Sequence, residues 1–273
     1  MLDRQWLQAL RARARQPPLR PRVPLWAGES MIGSVEPDFL YQIDLQPSSY
    51  GHHELLKKEQ PAELGWRLMG DVTLGLGRIA TALHGAGLAG AWRNEQLAVT
   101  DQLGHHKGAV ERAAVRPLGI STTAVHLAGQ TSDGRFWVQQ RALDKANDPG
   151  LWDTLVGGMV ADQDTLESAL VRETWEEAGL PLHALQGLHA GGEFMTCRPS
   201  SDGRGAGYLN ERIVWSVCTV PDGMVPKNQD GEVAQFGLMD ASELAAALQR
   251  DAFTLEAALI YAELLAPAAQ VSS

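Results

Sequence analysis

Residues 157–180, GGMVADQDTLESALVRETWEEAGL, constrain this chain more than any other stretch. From Leu166 to Ala178 there is no proline or glycine, and Leu, Ala, Glu and Arg dominate, so a helix is expected. Gly179 and Pro181 mark its end. At about 100° per residue, Leu166, Ala169 and Leu170 share one face, and that face continues into Glu173, Glu176 and Glu177. Like charges at this spacing destabilise an exposed helix by a few tenths of a kcal/mol per pair, and burial raises the cost. A bound cation removes that cost, and carboxylate oxygens suit hard ions such as Mg²⁺ or Mn²⁺. Gly157 and Gly158 let the backbone pass close to a ligand, and Arg172 is placed to orient a carboxylate. A solvated helix face with an Arg172–Glu176 ion pair explains two of these residues, not the whole spaced set.

The set resembles the Nudix box: Gly158, Asp164, Arg172, Glu173, Glu176, Glu177, Gly179 and Leu180 fall at its intervals. Two positions depart from the pattern. Asp164 stands where the family has Glu, one methylene shorter, so a weakened or water-bridged contact is expected. Thr174 replaces a bulky aliphatic residue, which is expected to loosen packing behind the helix.

Charge and composition exclude several functions. The net charge is −10, which repels nucleic acid and free phosphate at long range, so a phosphate-handling enzyme of this balance needs metal ions and local cations. No run of about eighteen apolar residues is present, so no membrane-spanning helix is expected. The N-terminus is basic but lacks the apolar core of a secretory signal; Trp6, Leu7 and Leu10 read as one face of an amphipathic helix. Only Cys197 and Cys218 occur, which points to a reducing, cytoplasmic compartment without disulfides.

At 273 residues the chain has room for two domains. A polar break at Gly104–Gly108 and the extended Arg116-Pro117 pair divide it into a smaller α+β domain, 1–115, and a second domain, 116–267, with a disordered tail, 268–273. Helices are expected near 2–15, at Val72–Leu83 behind an Asp71 cap, and at Thr254–Leu265. Strands are expected at Ser121–Ala128, Arg135–Arg141, Gly187–Thr196, Arg212–Val220 and Gly231–Met239, with a capping box at Asp240–Glu243. Gly203–Gly207 reads as a flexible loop over a pocket, and His52-His53-Glu54 as a surface helix start rather than a metal site. The order suits the Nudix α/β/α sandwich, an α+β fold with a mixed sheet.

The resemblance extends further. RALDKANDPGLWDTLVGGMV and NERIVWSVCTVPDGMVPKNQDGEVAQFGLMDASEL look like Nudix proteins related to thiamin pyrophosphokinase, and GAWRNEQLAVTD resembles the N-terminal domain, of unassigned role, that accompanies them. It implies metal-assisted hydrolysis of a small organic diphosphate to the monophosphate, with thiamin diphosphate or its oxidised analogues as substrates. Glu173, Glu176, Glu177 and the Gly157 carbonyl would ligate Mg²⁺ or Mn²⁺, and Glu173 or Glu232 would be the general base. Arg141, Lys145 and Arg198 would steady phosphates, Trp152 or Phe194 would stack on a ring, and Gly158 and Glu211 would contact substrate. Each of these has a plainer reading as a surface or core residue. The alternatives are a sensor that binds a nucleotide or diphosphate without cleaving it, and an isopentenyl-diphosphate-isomerase-like enzyme, for which Cys197 would be the needed thiol. A monomer and a homodimer are both compatible with the sequence.

Overall fold

The computed structural model describes residues 2–43, 45, 55–58 and 65–266. The His52-His53-Glu54 reading and the expected tail lie outside them. Helix α1 (Arg4–Ala14) starts at Asp3, whose carboxylate accepts the Trp6 N–H at 2.8 Å. A four-stranded sheet follows, in the order β2 (Ser30–Val35), β1 (Val23–Ala27), β4 (Trp66–Leu68), β3 (Leu56–Lys58), with β1 and β4 parallel. Helix α2 (Val72–Gly85) begins at the expected Asp71 cap. A hairpin of β5 (Gln96–Thr100) and β6 (His106–Glu111) leads into the short helix α3 (Arg112–Val115).

The expected polar break at 104–108 is therefore a hairpin turn that runs straight into a strand. Its polar residues are satisfied locally: Asp101 takes the His105 N–H at 2.9 Å and the Lys107 ammonium at 3.1 Å. His106 reaches Asp162, in the turn ahead of the box helix, at 2.7 Å. Nor is Arg116 an extended link, since it caps α3 in helical geometry.

The second sheet is mixed. Its main order is β11 (Gln186–Ser200), β12 (Gly207–Thr219), β7 (Thr122–Gln130), β8 (Phe136–Arg141), β13 (Val233–Met239). Only β12 and β7 run parallel, while β9 (Trp152–Asp153) pairs with β8 and β10 (Val156–Met159) with β7. Strand periodicity makes β7 two-faced. Val125 and Leu127 pack with Ala169, Leu170 and Ala178 of α4 (Leu166–Ala178). Ala124 and Ala128 face the layer holding α5 (Ala241–Gln249) and α6 (Leu255–Leu264), where Tyr261 is wholly buried. Helices on both faces of a mixed sheet give the expected three-layer sandwich.

Two placements differ from expectation. Leu10 and Ala14 of α1 are buried in the core of this second sheet, beside α6, so the first helix docks on the far part of the chain. The Gly203–Gly207 loop is tied down: Arg204 donates to the Ala86 carbonyl at 3.0 Å, and Gly203 lies against the Phe39 ring. Leu10 is 2 % exposed. Leu10→Ala is expected to destabilise the whole chain by roughly 2–4 kcal/mol in urea unfolding, because the cavity opens inside the second core. A loss near zero would show that α1 is not docked there.

Candidate active site

The box helix obeys its sequence closely. Thr165 caps it, with its hydroxyl accepting the Ser168 N–H at 3.1 Å, and Gly179 ends it at φ 61°, in the left-handed region that glycine favours. The buried stripe starts one turn later than expected, since Leu166 is 38 % exposed. It runs through Ala169, Leu170, Glu173, Thr174, Glu177 and Ala178. Thr174 does not loosen this face: it is fully buried, and its hydroxyl donates to the Leu170 carbonyl at 2.5 Å. Nor is the Asp164 contact weakened, as Arg172 donates to Asp164 Oδ2 from both Nε, at 3.1 Å, and Nη2, at 2.8 Å.

The acidic groups sit around β10. A side chain at Gly158 would put its Cβ 1.9 Å from the Glu173 carboxyl carbon, so the missing side chain is the space that Glu173 fills. Arg172 Nη1 holds Glu173 at 2.7 Å and Glu176 at 3.2 Å. Glu177 is sealed behind Gly157, accepting the Gly157 N–H at 2.8 Å and the Gln139 amide at 2.9 Å. Burial pushes the Glu173 carboxyl up to about 7 and Glu177 up to about 8. Glu176 is the exposed member of the three.

A cleft open to solvent lies beside this turn. Among the expected site residues it is lined by Gly157, Gly158, Glu173, Arg141, Lys145, Arg198, Glu211 and Glu232. Lys145 and Glu232 meet directly as an ion pair. Burial works against the Glu232 carboxylate, but Lys145, Arg112 and Arg93 outweigh it and hold the group below its ordinary value. Arg141 reaches Asp153 at 3.5 Å, Arg198 stands 3.6 Å from Glu256, and Glu211 accepts the Thr122 hydroxyl at 3.0 Å.

Arg172, Glu176 and Glu177 are absent from this lining. Two expected ring contacts lie away from the cleft lining. Trp152 is not at the cleft, because its ring packs on Gly237 of β13. Phe194 faces a groove between α1 and α6. Cys197 also lies outside the lining, with its thiol donating to Asn210 Oδ1 at 3.3 Å.

The cleft contains residues that sequence reasoning missed. His126 is buried on β7, with Nδ1 2.9 Å from the Thr154 hydroxyl, and desolvation lowers its pKa. Glu256 interrupts the apolar helix TLEAALIYAELL, an acid on a buried face that was a usable signal. Arg112 and Arg116 also line the cleft from the α3 turn, and no pattern in the chain announces them.

The donor set suits a hard divalent ion chemically: three carboxylates share one helical turn, and burial pushes two of them toward the neutral form, a cost that a cation offsets. Among the described residues no three Asp, Glu, His or Cys side chains are arranged so that together they could hold an ion. The carboxylates lie instead on Arg172, Gly157 and Gln139.

Residues 120–263 match the family model described as the NUDIX domain, and the chain belongs to that family. It is 32 % identical over 149 residues to Nudix hydrolase 20, chloroplastic, of Arabidopsis thaliana, covering 53 % of this chain and 38 % of the relative. With Nudix hydrolase 24, chloroplastic, of the same plant, identity is 26 % over 244 residues, covering 85 % and 63 %. The matches thus span less than two thirds of these relatives' own lengths. The crystal structure of DR0079 from Deinococcus radiodurans aligns with a TM-score of 0.49 at 21 % identity, over 61 % of this chain and 97 % of that one. Among the described residues no helix is long and apolar enough to cross a membrane.

Two outcomes test this geometry. Gly158→Ala is expected to drive the Glu173 carboxyl off β10; a crystal structure of the variant with Glu173 unmoved would refute the close approach. Burial holds Glu256 at about 7, above its unfolded value. Its contribution is therefore fully present below about pH 4.5 and lost as pH rises through 7. Glu256→Gln is expected to gain on the wild type between pH 5 and 8 by on the order of 3 kcal/mol in denaturant unfolding. A difference that does not change with pH would show that Glu256 is not held protonated.

Proposed function

We propose that the chain is a metal-dependent diphosphohydrolase that converts a small organic diphosphate to its monophosphate and inorganic phosphate. One observation carries the reading: the Glu173 carboxylate occupies the place of a Gly158 side chain and faces the cleft that holds the Lys145–Glu232 pair. Glu173, Glu176, Glu177 and the Gly157 carbonyl would hold Mg²⁺ or Mn²⁺, which when bound neutralises diphosphate charge and acidifies a water.

The protein's own groups do the rest. Arg172, anchored on Asp164, orients Glu173 and Glu176. Lys145, Arg141 and Arg198 receive phosphate oxygens. A phosphate that draws Lys145 away from Glu232 restores basicity to that carboxylate, which then accepts a proton from the attacking water. Water adds in line at phosphorus as the bridging P–O bond breaks.

Thiamin diphosphate and its oxidised analogues belong in the substrate panel because of the sequence resemblance alone. A cysteine-dependent isomerase is the weaker reading, because Cys197 is away from the cleft and desolvation raises its pKa. The test is phosphate release with Mg²⁺ from a panel of organic diphosphates. Glu173→Gln and Glu232→Gln are each expected to lower kcat by roughly a hundredfold or more. A wild type that binds a diphosphate tightly yet releases no phosphate from any member would establish a non-catalytic sensor instead.

A further inference from the structure

A second pocket adjoins the cleft, and the two share Arg112 and Arg116 as a common wall. Both arginines precede the segment that matches the family model. They come from α3 and its cap, where Ala113, Ala114 and Val115 are buried behind them, so the i, i+4 pair projects from one face. Glu111 fixes this turn by accepting the Ala113 N–H at 3.4 Å and the Arg93 N–H at 2.9 Å.

Each arginine is held by one edge. Arg112 Nη1 donates to Glu95 at 2.7 Å, and Glu95 is not part of the cleft lining. Arg116 Nη1 donates to Asn147 at 3.3 Å and stands 3.6 Å from Asp202. Among the described residues, Nε and Nη2 of both make no hydrogen bond. The cleft's other cations, Lys145, Arg141 and Arg198, each face a cleft acid: Glu232, Asp153 and Glu256. Arg112 and Arg116 thus form no ion pair with an acid of the cleft lining, although Arg112 feels the nearby charges of Glu232 and Glu211. Beyond them the adjoining cavity is walled by Arg93, Ser201, Asp202 and Asn210 together with the apolar Ile120, Met159 and Leu209, and no aromatic ring is among its lining residues.

We propose that the segment preceding the family domain completes the substrate site. Arg112 and Arg116 anchor the phosphate that remains on the organic group, and the cavity beyond them takes that group through hydrogen bonds rather than ring stacking. The substrate class this selects is an organic diphosphate whose non-phosphate part is polar and rich in hydrogen-bonding groups. This deepens the hydrolase reading and rests on it for the orientation of the substrate.

The test compares wild type, Arg112→Gln, Arg116→Gln and Arg116→Lys. It uses steady-state kinetics on a diphosphate that the wild type turns over, and calorimetry with inorganic diphosphate and Mg²⁺. The glutamine variants are expected to raise KM and weaken inorganic diphosphate binding by roughly tenfold to a hundredfold, with kcat changed only a few-fold and melting unaltered. Arg116→Lys should recover only part of the loss, because an ammonium lacks the planar fork. Should Arg112→Gln fail to fold once Glu95 loses its partner, the Arg116 variants decide. A folded Arg116→Gln protein with wild-type KM and wild-type affinity overturns the proposal. A wild type that binds inorganic diphosphate but hydrolyses nothing ends the hydrolase reading, while lost affinity in the arginine variants still supports the anchoring.

Discussion

A carboxylate taken out of water must find a partner or take up a proton, and the α4 turn takes two of them out together. Glu173 and Glu177 lie four residues apart on the buried face, on either side of the Glu176 that remains in solvent. Everything near them answers that burden. Arg172 is braced on Asp164 so that its other edge can hold Glu173 and Glu176. The Gly157 N–H and the Gln139 amide serve Glu177. Gly158 gives up its side chain so that Glu173 fits at all. These contacts do not fully offset the cost, since burial still lifts both groups toward neutrality. A stable fold needs no such arrangement; buried apolar residues would serve the sandwich better. The residual cost is what a divalent ion and its anionic ligand would remove.

The sandwich itself was legible because its signals are local. Helix α4 starts and stops where its composition and its glycine say it should, and Asp71 and Asp240 cap the helices expected of them. Alternation locates five strands of the second sheet to within a few residues, apart from the longer reach of β11 and β12, and misses the short β9 and β10. The turn at 104–108 reads as a break between domains because it is rich in His, Lys and Gly, a composition that marks linkers and tight turns alike. What separates them is whether those groups find partners, and Asp101 and Asp162 are supplied by tertiary structure.

The candidate site was legible only where the box reaches. Its carboxylates, arginine and glycines announce themselves by spacing. Trp152 and Phe194 looked equally suited to a ligand, yet strand pairing turns one onto Gly237 and the other toward α1. Arg112 and Arg116 carry no sequence signal, because their position depends on how β5 meets the turn after β10. There the Asp162 N–H donates to the Gln96 carbonyl at 2.8 Å. No one-dimensional pattern contains that contact.

Charge balance links the two parts of the chain. Five cationic and six acidic side chains line the cleft, so it is not a simple basic funnel. A single phosphate arriving at Lys145, Arg141 or Arg198 must separate an existing ion pair, exchanging one favourable contact for another with little net gain. A diphosphate that carries a divalent ion differs in kind. On the proposed reading its cation would satisfy Glu173, Glu176 and Glu177 while its oxygens would take up Lys145 and the arginines, so one ligand would meet both halves of the local balance. An acidic protein can thus admit a polyanion while resisting nucleic acid and free phosphate. On this account selectivity comes from requiring both signs of charge at once, and it weakens if either the box carboxylates or the α3 arginines are removed.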